Sequence, residues 1–234
     1  MKKPKVFILD MDGLMFETGR LAYRAYLTSA KLYDYQMTHD VYYDLTGRTH
    51  PEILVKMKQL YGVDQPIDDW RQEMIQAKEA LLQQEKRVYA KSGLFTLLEY
   101  ARSEQIKVIV ASSNLNSQIM RYLEMEHVTS YIDAVVSGEE VKQGKPDPEI
   151  FLTALAKSGE SKEHALVFED SIVGIQAATN AGIASVLIPD DITDLPQYQG
   201  QHLVDETQFT KATASATFVF DTLAQATDYL RQIM

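Results

Sequence analysis

Short runs rich in Val, Ile, Leu and Phe recur at residues 6–9, 108–111, 134–136, 165–168, 184–188 and 217–220. Continuous apolar runs of this length predict strands buried on both faces of a sheet. Between most of them lie amphipathic stretches of helical period, at 94–103, 117–126, 149–158 and 172–180. Such alternation predicts an α/β fold, a parallel sheet with helices on both faces. One interval breaks the rhythm. From about Phe16 to Arg87 there is no convincing strand, only helical patterning rich in Tyr, Leu, Met, Gln and Lys. Gly19, Gly47, Gly62 with Pro66, and Ser92 with Gly93 punctuate it, which predicts helices near 20–35, 51–61 and 67–86. The expected organisation is an α/β core domain over 1–15 and 88–234 and an inserted helical domain over 16–87. Residues 190–215, with Pro196 and Gly200, read mainly as loop, and 221–234 read as a closing helix with Asp221 as its N-cap.

Charge and cysteine usage narrow the partners. Acidic residues outnumber basic ones, 33 to 23, for a formal charge of −10, and no basic run offers to neutralise a phosphate backbone. No nucleic-acid partner is expected. A small anionic substrate is compatible with this balance, because a divalent cation and a local lysine reverse the sign of a pocket. The absence of cysteine excludes disulfides, thiolate zinc sites and cysteine nucleophiles and suits a reducing cytoplasm, the expected location. Lys2, Lys3 and Lys5 precede only a short apolar run before Asp10, too short for a signal peptide or a membrane span, so neither export nor a membrane partner is expected.

The chemistry gathers at strand ends. VFILDMDG delivers Asp10 and Asp12 at the carboxyl end of a buried strand, the edge where open parallel sheets bind ligands. Two residues apart on an extended chain, the carboxylates share a side. Their repulsion is costly unless a cation or a shared proton relieves it, and a hard cation such as magnesium does so. The plainer reading is an acidic turn with Gly13 supplying a positive φ. LVFEDSIVG repeats the arrangement, with Glu169 and Asp170 ending one strand and Ser171 opening a helix. GKPDP supplies Lys145 just before a helix that Asp147 and Pro148 would start, able to neutralise a phosphate or a carboxylate, or else a solvated loop residue. VIVASSN places Ser112, Ser113 and Asn114 at another strand end, where hydroxyl and backbone N–H groups commonly begin a turn.

Taken together, these elements resemble the four motifs of the haloacid dehalogenase superfamily, in order and over nearly the whole chain. DMDG resembles the first, Ser112 the second, Lys145 the third, and Glu169 with Asp170 the fourth. The helical insert after the first motif resembles the small cap of the β-phosphoglucomutase-like branch. The resemblance implies a Rossmann-like core and a phosphatase in which Asp10 is the nucleophile forming an aspartyl phosphate, while Asp12 protonates the leaving oxygen and then activates water. It implies Mg2+ held by the Asp10 carboxylate, the Asp12 backbone carbonyl and Asp170, with Glu169 a ligand or an outer support. Ser112 and Lys145 would hold the phosphoryl oxygens, with backbone N–H groups of residues 11–13, Ser113 and Asn114 completing the cradle.

Within the family, Asp12 argues against a dehalogenase. The histidine that follows the first motif in β-phosphoglucomutases aligns with Ala22, which favours hydrolysis over mutase chemistry. Thr18 matches a residue common near the hinge, whereas Glu17 stands for the usual Asp and Ser92 for a frequent proline. LTGRTHPEI resembles the substrate-specificity loop of the cap, so Thr18, Gly47, Arg48 and His50 are candidate specificity residues. The bland reading of that loop is a helix end, a solvated arginine and an ordinary turn. The expected substrate is a small phosphorylated metabolite, a sugar phosphate or related monoester. The alternatives are a phosphomutase and, more remotely, a non-enzymatic phospho-accepting signalling domain, whose architecture lacks a helical insert after the first strand.

Overall fold

The computed structural model describes residues 2–46, 50–197 and 215–233. The helices are α1 (Thr18–Ala30), α2 (His39–Leu45), α3 (His50–Tyr61), α4 (Ile67–Glu85), α5 (Leu94–Ser103), α6 (Asn116–Met125), α7 (Glu149–Ser158), α8 (Ile172–Ala181) and α9 (Leu223–Ile233). The strands are β1 (Val6–Leu9), β2 (Lys107–Ala111), β3 (Ala134–Val136), β4 (Ala165–Glu169), β5 (Ala184–Leu187) and β6 (Phe218–Val219). They form one all-parallel sheet in the order β3-β2-β1-β4-β5-β6. The chain winds outward from β1 to β3 and then returns to add β4 on the other side of β1. The carboxyl ends of β1 and β4 are therefore the topological switch point at which open parallel sheets bind ligands.

Register brings the motifs level. Leu9 pairs with Val110 on one side and with Phe168 on the other. Asp10 N–H extends the ladder to Phe168 O at 3.0 Å, and Ser112 N–H does the same to Val136 O at 3.1 Å. Alternate residues of each strand feed opposite faces. Val6, Ile8, Ile109 and Val167 pack with Ile150, Phe151 and Ala154 of α7 and with Ala177 and Ala178 of α8. Phe7 points the other way, 6.4 Å from the Tyr100 ring of α5 and edge-on to Phe168 at 5.1 Å. Burying each of these large side chains contributes about 1.5–3 kcal/mol. The Rossmann-like sheet with helices on both faces is thus the observed fold.

The chain divides into two compact units, one of residues 2–17, 87–190 and 215–233 and one of residues 18–46, 50–86 and 191–197 among those described. Residues 191–197, assigned from the sequence to the α/β domain, cluster with the helices instead. Ile192 is buried in the helical core, and Arg20 of α1 grips both carboxylate oxygens of Asp194 at 2.5 and 2.7 Å. The helical unit centres on Trp70, ringed by Tyr26, Tyr35 and Tyr61 at centroid distances of 5.9, 4.7 and 4.9 Å. It holds one helix the sequence did not predict, α2, started by Thr38, whose hydroxyl accepts from Val41 N–H at 3.3 Å. The closing helix also starts later than expected: Thr222, not Asp221, caps it, accepting from Gln225 N–H at 3.2 Å. Among the described residues, no helix is long and apolar enough to cross a membrane.

Candidate active site

β1 ends at Leu9, so Asp10 is the first residue past the buried strand, and its side chain remains buried. Gly13 then turns the chain with φ +76°, and its N–H donates to Phe16 O at 3.1 Å. A Cβ at that position would lie 2.2 Å from Asp170 Oδ2. Glycine is therefore required twice, for the left-handed backbone and for the approach of the β4 acid.

At the end of β4 the fully buried Glu169 is held by its neighbours. Its Oε2 accepts from Asp170 N–H, Ser171 N–H and the Ser171 hydroxyl, each at 2.9 Å. Ser171 Oγ in turn accepts from Gly174 N–H at 3.1 Å, the N-cap of α8 foreseen in the sequence. Glu169 Oε1 meets Lys145, whose ammonium also donates to Asp10 Oδ1. The Lys145 side chain is 6% exposed, with its Nζ 4.9 Å from the Phe151 ring centre. Both Glu169 oxygens are thus engaged, and Lys145 bridges β1 and β4. Asp147 starts α7 by accepting from Glu149 N–H at 2.9 Å, which fixes the loop that carries the lysine.

The β2 end supplies the third wall. Ser112 is buried; its Oγ accepts from Asn114 N–H at 3.2 Å and lies 3.5 Å from Asp12 Oδ2. The Asn114 amide donates to the same Asp12 oxygen. Ser113 points outward, exposed, while its carbonyl packs against Gly138, where a Cβ would come within 2.3 Å. The structure therefore brings together Asp10, Asp12, Ser112, Asn114, Lys145, Glu169 and Asp170. Thr18 is buried at the start of α1 and His50 is exposed at the start of α3, both in the helical unit. Gly47 and Arg48 lie outside the described residues.

Charge is concentrated here. Burial pushes the Asp10 carboxyl up to about 8, Lys145 counteracts it, and Glu169 and Asp12 add to it. Asp170 is pushed up by burial and by Glu169, Asp10 and Asp190. Burial alone would lower Lys145, but Asp10 and Glu169 outweigh it and hold the ammonium well above its ordinary value. One oxygen from each of Asp10, Glu169 and Asp170 lies within 4.8 Å of the others. An all-oxygen donor set with excess negative charge, and with the space beside Gly13 taken up by Asp170, fits a hard divalent cation better than a soft one.

Two residues of this neighbourhood carried no signal in the sequence. Lys91, just after the insert, donates to Asp190, just after β5, at 2.6 Å. Neither belongs to a motif.

Comparison with known proteins agrees with the geometry. The family of haloacid dehalogenase-like hydrolases matches residues 7–188. A phosphorylated carbohydrates phosphatase of Thermotoga maritima is 30% identical over 184 residues, covering 76% of this chain and 82% of that protein. The β-phosphoglucomutase of Bacillus subtilis is 29% identical over 188 residues, covering 78% and 82%. Among solved structures, a HAD family hydrolase of Deinococcus radiodurans with bound phosphate and sodium shares the fold with a TM-score of 0.77 at 18% identity, covering 99% of this chain and 97% of that one. With its four motifs gathered at one edge of the sheet, the chain belongs to the haloacid dehalogenase-like hydrolases, in their β-phosphoglucomutase-like branch.

Proposed function

We propose that this phosphoric monoester hydrolase is a magnesium-dependent phosphatase of a small phosphorylated metabolite, a sugar phosphate or related monoester, working through an aspartyl phosphate on Asp10. The observation that carries the reading is Lys145 joining the Asp10 and Glu169 carboxylates while Asn114 and Ser112 hold Asp12 beside them. A nucleophile, a proton carrier and a fixed cation thereby share one sheet edge. The 30% identical Thermotoga maritima phosphatase of phosphorylated carbohydrates supports the substrate class.

In the first step the Asp10 carboxylate attacks phosphorus in line, and the bond from phosphorus to the leaving oxygen breaks as Asp12 gives that oxygen its proton. In the second, Asp12 takes a proton from water as that water attacks the same phosphorus. The bond to Asp10 breaks, the carboxylate is restored and inorganic phosphate leaves. Asn114 orients Asp12 for both transfers. Lys145 and the Ser112 hydroxyl receive the phosphoryl oxygens, the Asn114 N–H holds that hydroxyl in place, and the Ser113 N–H completes the cradle. Glu169 holds Lys145 and the turn into α8, an outer role consistent with its two occupied oxygens. The Asp10 carboxylate, the Asp12 carbonyl and Asp170 would hold Mg2+, which would supply positive charge to the transferring group when bound.

Phosphorus NMR of the protein with Mg2+ and a panel of sugar phosphates, including β-glucose 1-phosphate with a bisphosphate primer, tests the reading. Inorganic phosphate is expected from the unmutated chain, with the rate down about a thousandfold or more in Asp10→Asn. Equal release from the variant would remove Asp10 from the mechanism. A new sugar-phosphate signal without inorganic phosphate would instead indicate a mutase. Ala22, which packs against the helical core and carries no acid–base group, speaks against that outcome.

A further inference from the structure

Lys91 and Asp190 form a buried ion pair that the proposed mechanism does not use. Their side chains are 12% and 8% exposed, and Lys91 Nζ also lies 3.5 Å from Glu17 Oε2. The three residues stand beside the three places where the described chain passes between the units, at 17–18, 86–87 and 190–191. The pair also abuts the acidic centre. A Cβ on Gly13 would sit 2.2 Å from Asp170 Oδ2 and 3.2 Å from the Asp190 Cβ, so the two aspartates flank the same glycine. Asp190 contributes to the upward push on Asp170, and Asp170 to that on Lys91.

A further carboxylate beside Asp170 adds negative charge to the donor set unless a cation balances it. We propose that Lys91 is a positioning residue of the cation centre: it binds Asp190, keeps that carboxylate out of the donor set and so sets the affinity of the centre for a divalent cation. The inference rests on the cation reading above. Lys91 cancels the charge of Asp190, leaving Asp10 and Asp170 to define what the cation meets. Without Lys91 the net negative charge beside the centre rises by one, and without Asp190 the Lys91 ammonium keeps Glu17, at 3.5 Å, as its more distant counter-charge and adds positive charge beside the centre.

Calorimetric titration of Mg2+ into metal-free protein tests this, using Lys91→Met, Asp190→Asn, the double variant and Asp170→Asn. Lys91→Met is expected to tighten Mg2+ about tenfold and Asp190→Asn to weaken it about tenfold. The double variant should return to within about threefold of the unmutated protein. A pair that only braces the fold would lower thermal stability in the single variants and leave Mg2+ affinity within about twofold, which overturns the proposal. Shifts of both single variants in the same direction overturn it as well. If Lys91→Met does not fold, the weakening in Asp190→Asn and its reversal in the double variant, where the charge of Asp190 is removed along with that of Lys91, still decide. Mg2+ affinity unaffected by Asp170→Asn would refute the cation reading itself and this inference with it, whereas affinity lost in Asp170→Asn but unmoved in the pair refutes only the latter.

Discussion

At the scale of single residues, the site is shaped by side chains that are missing as much as by those present. Gly174 lies in the first turn of α8, where glycine ordinarily weakens a helix. A Cβ there would lie 1.9 Å from the Glu169 carboxylate, the group that fixes Lys145 and accepts from Ser171. Glu169 is fully buried and cannot swing into solvent. Gly174→Ala should therefore cost about 3 kcal/mol in urea unfolding despite its better helix propensity, and it should slow phosphate release by displacing Lys145. Gly144→Ala, which meets nothing within 4 Å, is the control and should leave both unchanged. Equal stability of the two variants would show that Glu169 has room to move.

At the scale of elements, the segment entering the α/β unit after α4 is held by one carboxylate. Glu126, at the end of α6 with its side chain 1% exposed, accepts from Val88 N–H at 3.1 Å and Tyr89 N–H at 2.9 Å and pairs with Arg87 at 2.6 Å. Tyr89 O then accepts from Glu17 N–H at 2.8 Å, which joins the outgoing and returning strands of chain. Burial alone would raise the Glu126 carboxyl, but the bonds from Arg87, Tyr89 and Val88 outweigh it and hold it below its ordinary value. A lowered acid contributes stability above its unfolded value near 4.5 and loses it as pH falls through the folded one. Glu126→Gln should thus destabilise the protein at pH 7 by about 1–3 kcal/mol. The gap from the unmutated protein should close below about pH 4.5, and a pH-independent gap in urea unfolding would show that the charge is irrelevant.

The same scale shows what was legible in the sequence. All six strands were readable from their apolar runs, unbroken in β1, β2 and β4 because a parallel sheet buried on both faces demands it, and the motifs because they follow such runs. Helix α2 escaped because its seven residues, HDVYYDL, are too few for a periodic signal, although the cap at Thr38 marks its start. The docking of 191–197 on the helices depends on Arg20 meeting Asp194 across 174 positions, and the Lys91 to Asp190 pair spans 99. Pairings of that kind are set by the folded path of the chain and leave no local pattern. Asp221 misled for the opposite reason: Asp and Thr are both good caps, and only the chain path selects Thr222.

For the whole molecule, the division of labour between the units is testable through the single tryptophan. Trp70 is buried in the helical core and donates to Ser29 Oγ at 3.0 Å, so its fluorescence reports that unit. The candidate cation donors Asp10, Asp12, Glu169 and Asp170 all belong to the α/β unit, whose core of sheet, α7 and α8 is separate from the cluster around Trp70. A ligand that binds only folded protein stabilises by about 2.7 kcal/mol at a hundred times its Kd. For a chain of this size that raises the melting temperature by about 5–11 °C. Saturating Mg2+ should raise the far-ultraviolet circular dichroism transition of the α/β unit by that amount and leave the Trp70 fluorescence transition nearly in place. Chelation should reverse the first shift without touching the second. Equal shifts of both signals would mean that the two cores melt as one cooperative body, and no shift in either would place the cation elsewhere than on these carboxylates.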